Sequence, residues 1–448
     1  MSQKPRTVVA KFGGTSVATA DQLRKVQRIV DADPARRIVV PSAPGKAHSG
    51  DTKITDLLYL AHELAVKNQD IAPVWSQVAG RFTAIAKGLG LAIDLGPELA
   101  ATRDRIIAVA NAGGTADYAA SRGEAINGRI VAALLGASYV DAAEVVFFDR
   151  AGRLDAGRTY AAIAARCAAP GRHVIPGFYG SAADGAVRTF SRGGSDVTGA
   201  IVARAVAADL YENWTDVSGF LMTDPRIVPE ARTIAEITYS ELRELSYMGA
   251  SVLHEEAVFP VRETGIPITI RNTNRPDDAG TMIVKARDPG HQVVVGIAGT
   301  KGFTVINVEK AMMNGEVGFG RRVLDCLERH GIPYEHTPTG IDTMSLVVAD
   351  RFLSPPGRDS RLDDVVEDIR AAVRPDSITV QPGLALIATV GQGMVHATGT
   401  AARLFTSLAR ARVNVRMIDQ GSSEQNIIVG VDEADLPTAI KAIAGEFV

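Results

Sequence analysis

The chain has 448 residues, 46% of them hydrophobic and 22% charged, with 48 Lys plus Arg against 51 Asp plus Glu and a formal charge of −3. That is about three domains' worth of ordinary globular chain; it excludes collagen, coiled coil and wholesale disorder, and it gives no basic footprint for nucleic acid or an anionic membrane. Two cysteines, Cys167 and Cys326, exclude a disulfide framework or a cysteine-built zinc site and favour a reducing compartment. No apolar run approaches the roughly 20 residues that span a bilayer. The opening Met-Ser-Gln-Lys-Pro-Arg leads into no apolar h-region. The reading is therefore of a cytoplasmic protein without a signal peptide or a membrane partner.

Residues 7–12 are a β-branched run ended by Gly13-Gly14, which predicts a strand. Residues 18–32 carry Leu23, Val26, Ile29 and Val30 at helical spacing, and Arg37–Val40 is a second strand that stops at Pro41-Ser42-Ala43-Pro44-Gly45. The region 54–135 is helical in pattern. Further strands are expected at 137–141, 172–177, 209–214, 266–271 and 281–285. This alternation predicts an α/β sandwich with a mainly parallel sheet to about residue 295.

The rest is a duplication. Segment 303–350 repeats in 384–431 without a gap, at an offset of 81 residues, and each copy is followed by a helical segment, 361–373 and 434–445. Two copies of one small βαββα(β) module follow from this. Residues 351–361, with Pro355-Pro356-Gly357, read as an exposed loop of the first copy.

Three clusters point to anion chemistry. In Lys11-Phe12-Gly13-Gly14-Thr15-Ser16, a strand ends in a lysine and glycines before a helix, which lets backbone N–H groups and a mobile cation approach a phosphate. It is neither a Walker A loop nor a Gly-x-Gly-x-x-Gly run. Ser191-Arg192-Gly193-Gly194-Ser195-Asp196 places a planar cation and a carboxylate at another strand–helix junction. Trp214-Thr215-Asp216-Val217 and Met222-Thr223-Asp224-Pro225-Arg226 read as loops at a strand end, where open α/β sheets bind ligands. Locally, each is also compatible with plain turns and helix caps. Ser121-Arg122-Gly123-Glu124, Ser42 and Thr55 carry weaker signals, with capping as the ordinary explanation. No histidine pattern for metal and no Gly-x-Ser-x-Gly elbow occurs.

Taken together and in this order, the clusters resemble the aspartate kinases of the amino acid kinase family. The duplicated segments resemble the paired ACT modules that follow that catalytic domain. The resemblance implies a three-layer αβα sandwich kinase domain over residues 1–295 and two α+β ferredoxin-like ACT modules at 303–381 and 384–448, the second serving mainly dimerisation. It implies phosphorylation of the side-chain carboxylate of L-aspartate by ATP with Mg2+, with Lys11 and Asp196 catalytic. Ser42, Thr55, Glu124, Phe178, Arg192 and Ser195 would contact aspartate. Lys11, Gly13, Gly14, Thr15, Thr215, Asp216, Asp224 and Arg226 would contact the nucleotide. It further implies a homodimer or higher homo-oligomer inhibited by lysine, threonine or both, with Met313, Asn314, Gly318, Glu335 and Asp342 as candidate effector contacts. Two positions depart from the family pattern. Ser251 stands where a nucleotide-side lysine is common, and Leu221 where an aromatic residue is common. The competing readings are another amino acid kinase, or an amino-acid sensor with an inactive kinase site.

Overall fold

The computed structural model describes residues 6–191, 193–249, 253, 258–290, 292–355, 357 and 359–447. They form two compact units, one made of residues 1–220, 233–239 and 252–287, the other of 221–232, 240–251 and 288–448. In chain order the elements up to residue 287 are β1 (Val8–Phe12), α1 (Ala20–Asp31), β2 (Arg36–Pro41), α2 (Ile54–Val66), α3 (Ala72–Leu89), α4 (Gly96–Asn111), α5 (Asp117–Leu135), β3 (Ser138–Tyr139), α6 (Ala142–Val145), α7 (Ala156–Arg166), β4 (His173–Val174), β5 (Tyr179–Ser181), β6 (Val187–Thr189), α8 (Gly194–Ala205), β7 (Leu210–Thr215), β8 (Glu236–Thr238), α9 (Tyr239–Tyr247), α10 (Phe259–Arg262), β9 (Ile268–Asn272) and β10 (Thr281–Val284).

The first unit is built on an eight-stranded sheet in the order β3-β4-β2-β1-β7-β9-β10-β8. Every pair is parallel except β9 with β10. Its central strands β1, β7 and β9 are buried on both faces, as a parallel sheet covered by helices requires, while the edge strands β3 and β8 are partly exposed. One face carries α1, α2, α3 and α5, whose apolar sides join Ala10, Phe12, Val39, Val174 and Trp214 in one core. Helix α8 lies against β1, β2 and β7 on the other face, backed by α7 and α10. The strand predicted at 172–177 narrows to two residues, because Pro176 has no N–H to continue the ladder. The helix predicted from residue 18 starts at Ala20, where Thr19 Oγ1 accepts the Gln22 N–H at 3.2 Å; a 3-10 turn over Gly14–Val17 precedes it.

The second unit contains β11 (Gly296–Glu309), α11 (Phe319–Arg329), β12 (Thr343–Ala349), α12 (Asp350–Leu353), α13 (Leu362–Val373), β13 (Ser377–Val390), α14 (Thr400–Arg410), β14 (Met417–Asp419), β15 (Asn426–Asp432) and α15 (Leu436–Phe447). An antiparallel sheet in the order β12-β11-β13-β15-β14 supports two separate cores. One core is built from residues of 306–373; the other combines residues of 385–444 with Val294 and Ile297. Strands β11 and β13 run through both, with register shifts between Thr300 and Val305. The closing strand of the second copy is thus residues 296–300, paired with 386–390, and the first copy is inserted within the second. The expected loop at 351–361 opens with the short helix α12. Among the described residues, no helix is long and apolar enough to cross a membrane.

Candidate active site

Three loops meet at the carboxyl ends of the parallel strands, where such sheets place their ligands. Gly13 donates its N–H to Trp214 O at 2.9 Å, tying the end of β1 to β7. Gly45 N–H bonds Gly14 O at 2.8 Å, and a Cβ on Gly45 would stand 2.7 Å from the Gly14 carbonyl carbon, so only glycine permits this approach. Arg81 braces the same loop through Gly45 O at 3.2 Å and Asp51 at 2.5 Å. The third loop follows β4. Gly177 lies on Ser195 so closely that a Cβ would be 2.6 Å from the Ser195 side chain. The next residue, Phe178, is held at φ 79°, a left-handed conformation that costs a bulky residue about 1–2 kcal/mol. Its N–H is fixed on Thr198 Oγ1 at 3.0 Å.

Side chains alternate across a strand. In β1 this sends Ala10 and Phe12 into the core beneath α1 and Lys11 towards α8. Lys11 is 6% exposed, and its Nζ forms an ion pair with Asp196 Oδ1 in the first turn of α8. The register of β1 on β7 sets Lys11 opposite Asn213. The Asn213 amide bonds both partners: Lys11 Nζ reaches Asn213 Oδ1 at 3.3 Å, and Asn213 Nδ2 donates to Asp196 Oδ1 at 2.9 Å. Asn213 lies outside the motifs read from the sequence. The available signal was its polarity, with Glu212, inside a central strand.

Glu124 lies in the middle of α5, which begins seven residues earlier at Asp117, so the helix-capping explanation fails. It is 5% exposed; Ala43 N–H bonds its carboxylate, while Oε2 has no partner. Burial pushes its pKa up to about 8, against the opposing pull of the Ala43 and Glu124 backbone N–H groups and Arg122. One turn along the same face, Asn127 Nδ2 donates to Ser42 O at 2.7 Å, and its buried Oδ1 has no partner. Ser42 and Thr55 are half-buried beside this pair, in the loop after β2 and the first turn of α2. Asn127 was also absent from the sequence analysis, having no motif around it. The arrangement offers a buried acceptor set for a cation on α5 and a buried lysine for an anion on β1.

Thr15 and Asp216 are exposed, and Thr215 Oγ1 donates to Asp216 Oδ1 at 3.3 Å. Asp224 and Arg226 belong to the second unit, where they form a bidentate pair at 2.7–3.1 Å. Hydrogen bonds from the Arg226 side chain and backbone hold the Asp224 carboxyl below its usual range. Ile227 and Val228, next in the chain, pack on the core that contains Val294 and Ile297. Leu221 is half-buried in that unit as well. Arg192 and Ser251 lie outside the described residues.

Of the effector candidates, Asn314 and Asp342 come together: Asn314 N–H bonds Ile341 O at 3.1 Å and Asp342 Oδ1 accepts the Met312 N–H at 2.8 Å. Gly318, at φ 80°, is the N-cap of α11. Met313 is 5% exposed and turned into the module core, so its side chain is packing rather than surface. Glu335 stands apart, bonded by Tyr247 Oη and 3.8 Å from Arg351.

Residues 6–272 match the model of the amino acid kinase family, and residues 387–447 match an ACT domain. The chain is 40% identical to aspartokinase 3 of Bacillus subtilis over 98% of both chains. It superposes on the crystal structure of Clostridium acetobutylicum aspartate kinase with a TM-score of 0.90 at 48% identity, covering 99% of this chain and 100% of that one. Escherichia coli aspartokinase III, solved with aspartate and ADP in an R-state, gives 0.78 at 26% identity, covering 98% and 99%. The same enzyme with lysine and aspartate in a T-state gives 0.76 at 27%, covering 99% and 100%.

Proposed function

The chain belongs to the amino acid kinase family and, within it, to the aspartokinases, and on that premise we propose how its residues divide the work. The enzyme transfers the γ-phosphoryl group of ATP, with Mg2+, to the side-chain carboxylate of L-aspartate, giving 4-phospho-L-aspartate and ADP. A carboxylate is already ionised at neutral pH, so one of its oxygens attacks phosphorus without a general base while the bond from phosphorus to the ADP oxygen breaks. The obstacle is bringing two anions together in line, which cations and positioning overcome.

Lys11 supplies the buried positive charge for the transferring phosphoryl group, and Asp196 holds it until the nucleotide arrives. Asp216, exposed just after β7, would help hold the Mg2+ ion, which would neutralise charge on the phosphates. Glu124, assisted by Asn127 Oδ1, receives the α-ammonium of aspartate, and Arg192 receives the α-carboxylate. Phe178, Ser195, Ser42 and Thr55 shape that pocket. Gly13, Gly14, Thr15, Thr215, Asp216, Asp224 and Arg226 serve the nucleotide. The unit built on the parallel sheet, to about residue 287, carries catalysis, and the modules 303–381 and 384–448, the second completed by residues 296–300, are those through which lysine, threonine or both regulate a cytoplasmic homodimer or larger homo-oligomer.

The observation that carries the substrate reading is Glu124 Oε2, a buried carboxylate oxygen without a partner. Such a group destabilises the empty protein and fits a cation. The test is hydroxamate trapping with Mg-ATP and hydroxylamine, offering L-aspartate, L-glutamate and N-acetyl-L-glutamate separately, each with and without lysine and threonine. Hydroxamate from aspartate alone, suppressed by an end product, is the expected result. Equal turnover of glutamate would overturn the substrate assignment.

A further inference from the structure

Lys11 and Asp196 do not meet as an isolated ion pair. Both are bonded by Asn213, which is 2% exposed and whose amide presents its oxygen to the lysine and its N–H to the carboxylate. The orientation is forced: an asparagine with a lysine on one side and a carboxylate on the other satisfies both only one way round. The β1–β7 register fixes Asn213 beside Lys11, and Tyr211, two residues earlier on the same face, bonds the Asp196 main-chain oxygen at 3.0 Å. Asp196 is therefore held from β7 at both its backbone and its side chain.

This matters for a lysine that must do two things. Paired with Asp196 it is neutralised; to serve a phosphoryl group it must swing away from the carboxylate. An Asp196 free to follow would keep the charge masked. We propose that Asn213 is a positioning residue for phosphoryl transfer: its Nδ2 anchors Asp196 so that Lys11 is released to the phosphoryl group, and its Oδ1 marks the lysine's resting place. The inference rests on the roles proposed above for Lys11 and Asp196.

Two variants test it. Asn213→Asp keeps the shape and replaces the N–H donor by a second carboxylate next to Asp196. Two carboxylates at hydrogen-bond distance share one proton, which raises the pKa of the pair. While that proton is present, the introduced carboxyl group still donates to Asp196; once it is lost, the anchor is gone and Lys11 faces two negative charges. The expected result is a kcat about 10- to 100-fold below wild type at pH 8, the scale of a misplaced reacting group. The deficit should shrink as the pH is lowered towards 6, with KM for aspartate within about twofold of wild type. Asn213→Ala removes the anchor at every pH and should give a deficit that does not depend on pH. Thermal melts identify a variant that fails to fold, and the other then carries the test through its own kcat.

A pH-independent ratio of Asn213→Asp to wild-type kcat would overturn the proposal, as would an Asn213→Ala enzyme with wild-type kcat. Lys11→Ala in the same assay separates the two layers. If Lys11→Ala is impaired while the Asn213 variants are normal, only this inference fails; if Lys11→Ala is itself normal, the site reading fails with it.

Discussion

Replacing Glu124 by glutamine should stabilise the empty enzyme while destroying its affinity for aspartate. In the folded state this carboxyl has its pKa raised by burial from 4.5 to about 8. The unfolded chain gives up the proton near 4.5, the folded chain only near 8, so stability falls as the pH rises between those values and levels off above them. The full shift corresponds to about 5 kcal/mol, of which about 4 kcal/mol is lost by pH 8. Glutamine keeps an oxygen for the Ala43 N–H and never ionises. At about 2 °C per kcal/mol, Glu124→Gln should melt about 8 °C above wild type at pH 8, and within about 2 °C of it at pH 5. Ligand binding supplies the second arm. At pH 7 a carboxyl raised this far is mostly protonated, and an ammonium placed against Oε2 pulls its pKa down, so aspartate binding should release protons, up to about one per site. Calorimetry in buffers of different ionisation enthalpy reads that number directly. Parallel Tm-against-pH curves for the two proteins, or aspartate binding by wild type without proton release, would refute the argument.

Other consequences are more local. Lys11→Ala should lower kcat at least about 100-fold in the hydroxamate assay with the fold intact by circular dichroism; near-wild-type kcat would remove Lys11 from the mechanism. Glu212 is 2% exposed, takes a bidentate bond from Arg36 at 2.7 and 3.1 Å, and accepts from Trp214 Nε1 at 2.9 Å. Glu212→Ala strands the Arg36 charge and should cost about 3–5 kcal/mol in denaturant unfolding, whereas a Glu212→Leu, Arg36→Met double variant should lose much less. Ile227 follows the Asp224–Arg226 pair and packs on the second-module core. Ile227→Ala should raise KM for Mg-ATP about 3- to 10-fold and leave KM for aspartate unchanged, an effect near 1 kcal/mol; equal changes in both would point to general loosening.

What could be read in advance was local. The strand-glycine junction at Lys11–Gly14, the Gly193–Asp196 junction and the 81-residue repeat each lie within one stretch of chain; the structure gives the two junctions their glycine turns and helix starts, and gives the repeat its elements except in the first copy, where the strand expected after α11 is reduced to the isolated bridges His336–Val347 and Thr339–Met344. What stayed hidden depends on pairing. Asn213 joins Lys11 only through a strand register that spans 202 residues. The isolation of Glu124 Oε2 depends on α5 being flanked by both the sheet and α2, and its neighbours Ser121-Arg122-Gly123 read locally as a helix start. Met313 shows the converse: its turn does border Asp342, but the side chain turns inward because a module this small needs it for its core.

The repeat itself conceals how the modules are joined. Aligning 303–350 with 384–431 suggests two units in series, yet the strand that completes the second copy precedes the first. Val294 and Ile297 pack with Ala385, Ile387 and Val429, and Thr300 stands opposite Leu386. Residues 301–385 therefore form an excursion between two antiparallel partners, the ends of a hairpin that the first module interrupts. Replacing 301–385 by Asn-Gly should close that hairpin, since a two-residue loop of this type matches the twist of its strands. Truncation after residue 383 should fail instead, because it leaves Val294 and Ile297 without the apolar face that buries them. The first protein should remain soluble and melt cooperatively, and the second should aggregate. A soluble, cooperatively melting truncation with an aggregating deletion would mean that the modules fold in series after all.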